Sequence, residues 1–171
     1  LIISVLSFIS VSIPLSFGDT IDGQAEVGNS APIAVGVNVG PDYVDPESTF
    51  VVNTEVSDNN TLSDIDNVIL KVYENSLSQD SADSKRGHYT FWFDPSDNSW
   101  HSEINTNVLG DPYIDVSNSS YPGDLTVNQD NYKFVVRLNG TANPKSWNAY
   151  LKVIDNQSSS DQFEKADEFS V

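Results

Sequence analysis

From Tyr132 to Leu138 every second residue is large and apolar: Tyr132, Phe134, Val136 and Leu138, ahead of the turn dipeptide Asn139-Gly140. A period of two sends successive side chains to opposite faces, so this run reads as a strand with one buried face. The pattern recurs along the chain. Ile33, Val35, Val37 and Val39 alternate up to Gly40-Pro41 and are predicted to point inward. Phe50, Val52, Thr54 and Val56 alternate before SDNNTLSDID; Val68, Leu70 and Val72 before ENSLSQDSADSKRG; Tyr89, Phe91 and Phe93 before DPSDNS. Trp147, Ala149, Leu151 and Val153 follow the Asn139-Gly140 turn, and Phe163 to Val171 closes the sequence. Trp100 to Ile104 is a shorter candidate, and the stretch around Ile114 is weak. No window carries a helical stripe. The expectation is an all-β protein.

Seven or eight short strands, punctuated by Asn, Asp, Gly, Pro and Ser, predict one antiparallel β-sandwich of immunoglobulin-like type over residues 31–171. Composition agrees with this. Asn (17), Asp (18) and Ser (24) favour turns over helix interiors, because their side chains compete for backbone hydrogen bonds. Hydrophobic residues at 38% and aromatics at 11% suffice to fill a core.

Charge and chemistry narrow the function. With 25 acidic and 8 basic residues the net charge is −17, which excludes a basic footprint for nucleic acid and opposes an anionic membrane. The absence of cysteine removes disulfides, thiolate zinc sites and cysteine nucleophiles. Two histidines, His88 and His101, remain for acid–base work, and no GxSxG, HExxH or phosphate loop accompanies them. Acidic residues this numerous neither define nor exclude the carboxylate pair of a glycosidase. The expectation is a protein that is not an enzyme.

Residues 1–18, LIISVLSFISVSIPLSFG, carry no charge and are followed by a polar, acidic, glycine-punctuated stretch to residue 30 that reads as a linker. The run is short for a membrane span, which takes ~20 apolar residues. It reads in three ways. One is the apolar part of a secretory signal, with Ser16-Phe17-Gly18 as a small-x-small cleavage site. Another is a type IV pilin-like helix packed in a filament core. The third is a strand: Ile9, Val11, Ile13, Leu15 and Phe17 form one face, and Ser10, Ser12, Pro14 and Ser16 the other. The strict alternation favours the strand, retained in the mature protein and inserted into a neighbouring copy by strand addition.

The pairing of VVNTEVSDNNTLSDIDNVILKVYEN with YKFVVRLNG…WNAYLKVIDN resembles the Ig-like modules of archaeal and bacterial surface-layer and filament (pilin-like) proteins, over roughly residues 31–171. The resemblance is one of pattern: a strand ending in an Asp-bearing loop, then a late Trp strand closed by Asp. It implies an extracellular, cell-surface structural role.

Three groups of residues are candidate sites. Asp58, Asn59, Asn60, Asp64, Asp66 and Asn67 form the densest oxygen cluster, and Asp155 can lie at the same end of a sandwich. Asp58, Asp64, Asp66 and Asp155 are therefore either calcium ligands or members of a solvated turn with Asx caps; the EF-hand pattern is absent. Sequons begin at Asn59, Asn118, Asn139 and Asn156, all in predicted loops, as in a glycoprotein. Trp92, Trp100, Trp147, Tyr73 and Tyr150 are candidates for a sugar-stacking platform, with Trp92 and Tyr150 on outward registers; Trp147 reads first as core, and Trp92 also as a partner-covered or half-buried aromatic. The leading expectation is a homopolymeric extracellular filament subunit, with surface glycans or other cells as candidate partners and calcium as the one candidate cofactor. A secreted carbohydrate-binding module is the alternative.

Overall fold

The computed structural model describes residues 28–104 and 112–171. The predicted assembly strand (Ile9, Val11, Ile13, Leu15 and Phe17) and most of the linker lie outside the described residues. Nine strands are described: β1 (Ile33–Val39), β2 (Thr49–Ser57), β3 (Ile65–Glu74), β4 (His88–Asp94), β5 (Ser99–Ser102), β6 (Tyr113–Ile114), β7 (Gln129–Arg137), β8 (Ser146–Asp155) and β9 (Ser160–Ser170). One short 3-10 turn, Leu62–Asp64, precedes β3.

Antiparallel pairing builds a four-stranded sheet in the order β1-β2-β7-β6 and a five-stranded sheet in the order β5-β4-β3-β8-β9. The two form a β-sandwich. Alternation explains the core directly: Val52, Val56, Val68, Leu70, Val72, Phe91, Phe93, Tyr132, Phe134, Val136, Trp147, Leu151 and Val153 are fully buried. Aromatic contacts join the sheets, with Phe50 against Phe169, Tyr132 against Phe93, and Trp100 edge-on to Phe134.

One expectation about the sheet faces is corrected. Ile33 and Val35 do not point inward; they are 48% and 36% exposed, and Ala34 takes the buried position. A β-bulge between Ala34 and Gly36 shifts the register, so the residues on either side of it use opposite parities to reach the core. Val37 and Val39 are buried as expected.

The outer edge of β1 is closed by side chains of β9. The Ala34 amide donates to Asp161 Oδ2 (3.1 Å) and the Val39 amide to Glu168 Oε1 (2.9 Å). Charged groups laid on an edge in this way blunt its capacity to recruit another strand.

Candidate functional site

The acidic loop between β2 and β3 and the turn between β8 and β9 meet at one end of the sandwich, because Ile65 of β3 pairs with Asp155 of β8. One backbone and one side-chain bond tie the two loops: Asn156 N–H donates to Asp64 O (2.8 Å), and Asn156 Nδ2 to Asp64 Oδ1 (3.3 Å). Asp58 and Asp155 are both buried, at 1% exposed each. Asp58 Oδ1 accepts the Asn60 amide (2.6 Å), while its Oδ2 is buried with no hydrogen-bond partner. Burial pushes the Asp58 carboxyl above its ordinary range; the Asn60 amide opposes this, and the charges of Asp64 and Asp155 add to it.

Asp155 is differently served. Its Oδ1 accepts the amides of Gln157 (2.9 Å) and Ser159 (2.7 Å), and its Oδ2 accepts Asn29 Nδ2 (2.7 Å). Burial works against its ionisation, but the bonds from Asn29, Ser159 and Gln157 outweigh it and hold the carboxyl below the usual range. Asn29, just ahead of β1, is a member of this site that its place in a polar linker did not announce. The following residue is pinned as well, since Ser30 N–H donates to Asn60 Oδ1 (2.9 Å).

The predicted set of four acids narrows. Asp58, Asp64 and Asp155 come together, whereas Asp66 is the extra residue of a bulge in the β3–β8 pairing and accepts from its neighbour Asn67 (2.8 Å).

A second cluster sits on the β4–β5 hairpin. Among the described residues, only Asp94, Asp97 and His101 bring three acidic or imidazole ligand atoms within 4.8 Å of one another. Their oxygens already serve the turn: Asp94 Oδ1 accepts from Ser96 (2.8 Å and 2.7 Å), and Asp97 Oδ1 from Ser99 (3.0 Å and 2.5 Å). His101 also stacks on Trp92, with ring centroids 5.0 Å apart.

Most of the predicted aromatic platform lies inside the molecule. Trp147 is core, stacked between Tyr89 and Phe169, and Trp100 packs on Phe93 and Phe134. Tyr150, expected to face outward to solvent, is only 4% exposed, and Tyr73 is fully buried. The reason is the excursion between β3 and β4, which folds back over the outer face of the larger sheet. There Lys71 Nζ donates to Gln79 O (2.6 Å), and Thr90 donates to Asp83 through its amide (2.7 Å) and hydroxyl (2.8 Å). Trp92 and Trp100 are both half-buried, and of the two Trp100 packs against the core while Trp92 keeps the outward register.

Beneath that excursion is a buried polar network that sequence reasoning missed. His88 Nδ1 donates to Asp83 Oδ1 (2.7 Å), the imidazole stacks on Tyr73, and Tyr73 donates to Glu164 Oε1 (2.6 Å). Burial works against the Asp83 carboxylate, yet the bonds from His88 and Thr90 prevail and its carboxyl is held below the usual range. The signal was the long polar run between two apolar strands, which reads as solvated loop unless its acids find partners.

Of the sequon asparagines, Asn59, Asn118 and Asn156 are exposed. Asn139 is not: it is 7% exposed, and its Oδ1 accepts the amide (2.8 Å) and hydroxyl (2.6 Å) of Thr141 in an Asx turn.

Fold and sites together define an acidic, all-β sandwich protein with a carboxylate cradle at one end. No family model, curated protein or solved structure matches the chain.

Proposed function

We propose that the chain is a structural, non-enzymatic subunit of an extracellular, cell-surface fibre, in which one Ig-like sandwich joins the next through the apolar segment of residues 1–18. The sheet order supports the Ig-like assignment. β1-β2-β7-β6 facing β5-β4-β3-β8-β9 matches, strand for strand, the order ABED facing C″C′CFG of a nine-stranded variable-type domain.

The observation that carries the assembly reading is where apolar surface is left over. Among the described residues, Ile33 and Val35 are exposed on β1, and Tyr113 and Val116 on and just after β6. β1 and β6 are the two edges of the same sheet. Asp161 and Glu168 already occupy the β1 edge, so an uncharged alternating strand adds best beside β6, where main-chain bonds set register and alternate side chains find apolar neighbours. Copies carrying −17 each repel through solvent, so their contact has to come from a buried, uncharged element such as Ile9 to Phe17.

The test is deletion of residues 1–18 from the mature protein, followed by negative-stain microscopy. The expected product is a folded monomer that joins no fibre. Ile13→Asp should act nearly as strongly, because it buries a lone carboxylate, and Ser12→Asp on the opposite face should be milder. Normal fibres from the deleted chain would refute the proposal. Equal damage from both point variants would replace the inserted strand with a helix packed on all sides.

A further inference from the structure

We propose that Asp58, Asp155 and Asn29 form a binding site for a divalent cation, calcium by preference, at the end of the sandwich where the chain approaches β1. Two oxygens mark the site. Asp58 Oδ2 and Asn29 Oδ1 are both buried without a hydrogen-bond partner. Asp58 is 1% exposed, and the carboxylates acting on it are Asp64 and Asp155. Asn29 is anchored to one of these, since its Nδ2 donates to Asp155 Oδ2 at 2.7 Å. Its carbonyl oxygen is thereby confined to the same neighbourhood, with nothing to accept.

Such an arrangement lacks a positive charge. A buried carboxylate with a free oxygen is costly, and two more acids beside it raise the cost. None of the ion pairs among the described residues brings a lysine, arginine or histidine to Asp58, Asp64 or Asp155. A cation satisfies the free oxygens and the electrostatics together.

Donor chemistry selects the ion. Carboxylate and amide oxygens suit a hard cation better than zinc or copper, which favour sites that include imidazole or thiolate. Irregular loops accommodate the variable geometry of calcium better than the strict octahedron of magnesium. The contrast with Asp94, Asp97 and His101 is informative: there the oxygens are exposed and taken up by Ser96 and Ser99. At the Asp58 end, Asp58 Oδ2 and Asn29 Oδ1 are buried and free, while both oxygens of Asp155 also accept hydrogen bonds.

A cation here would bind three separate parts of the chain: the β2–β3 loop through Asp58, the end of β8 through Asp155, and the approach to β1 through Asn29. It would fix the junction between the sandwich and whatever precedes residue 29.

The experiment uses the full chain stripped of metal with chelator, titrated calorimetrically with calcium chloride and, separately, with magnesium chloride. Melting is followed in calcium and in chelator. The expected result is one saturable calcium site, weaker magnesium binding, and a melting temperature raised by calcium. Asp58→Asn should abolish binding and melt no lower than wild type in chelator, because it removes an uncompensated buried charge. Asn29→Ala should weaken calcium by about tenfold or more and also lower melting in chelator, because buried Asp155 Oδ2 loses the Asn29 bond. Absence of heat and of any melting shift in the wild type would overturn the proposal. So would wild-type affinity in both Asp58→Asn and Asn29→Ala, or loss of binding on Asp94→Asn, which would move the ion to the exposed hairpin.

Discussion

Three tyrosines on three strands allow a test of sign rather than of size. Tyr132 on β7, Tyr73 on β3 and Tyr89 on β4 are all buried. Tyr73 donates to Glu164 (2.6 Å) and Tyr89 to Lys85 O (2.8 Å), but the Tyr132 hydroxyl is buried with no partner. An unsatisfied buried hydroxyl costs about 1–3 kcal/mol relative to its absence. In Tyr132→Phe the ring contact with Phe93, at 5.7 Å between centroids, has no reason to change. The void left by one oxygen costs only a few tenths of a kcal/mol, at ~24 cal/mol per Å³. The variant should therefore be more stable by about 1 kcal/mol, or about 3–4 °C in melting temperature for a domain of this size. Tyr73→Phe and Tyr89→Phe should each move the other way by about 1 kcal/mol, having lost a real bond. Differential scanning calorimetry on the three variants reads the signs directly. A Tyr132→Phe protein that melts as low as the other two would refute the reasoning, since its hydroxyl would then have a partner such as an ordered water.

Asp83 gives an acid-side prediction. Its carboxyl is held below the ordinary carboxylate range, so its contribution is present above that range and is lost as pH falls through the depressed folded-state value. Asp83→Asn should cost about 1.5–3 kcal/mol at neutral pH, and urea midpoints followed downward from pH 5 should converge on wild type as the acid limb is reached. A constant gap across that range would contradict the assignment. Intact mass and peptide mapping of native protein should place any N-linked sugar on Asn59, Asn118 or Asn156 and leave Asn139 bare; an occupied Asn139 would show that modification ignores the folded surface.

Strands whose inner face meets the other sheet were plain in the sequence, because burial on one side enforces a period of two. Tyr132 through Leu138, Trp147 through Val153 and Val68 through Val72 all follow it. What escaped has local causes. The bulge at Ala34–Gly36 changes parity within a run whose apolar spacing never breaks, so Ile33 and Val35 gave no warning of facing out. The outer face of β3 and β8 looked wet because the segment covering it is polar; Asp83 and Gln79 cover Thr90 and Lys71 through hydrogen bonds, which leave no hydrophobic signature. The cradle was half visible. Asp58, Asp64 and Asp155 stood out as acids, but Asn29 joins them only through folding, across 126 residues of sequence.

Along one side of the sandwich β1 and β9 run in the same direction. Ala34 is bonded to Asp161 and Val39 to Glu168, and Tyr43 bridges Ser170 in parallel. Residue 30 therefore lies at one end of that side and residue 171 at the other. Tension applied between these two points drags the strands lengthwise past each other instead of opening them rung by rung. In such a lap joint every bond along the overlap is strained at once and all must yield together, whereas a peeled seam fails at one bond after another. The carboxylates of β9 that blunt the edge of β1 are also the rivets of this joint, and the unit should resist rupture most strongly when stretched along the strand axis.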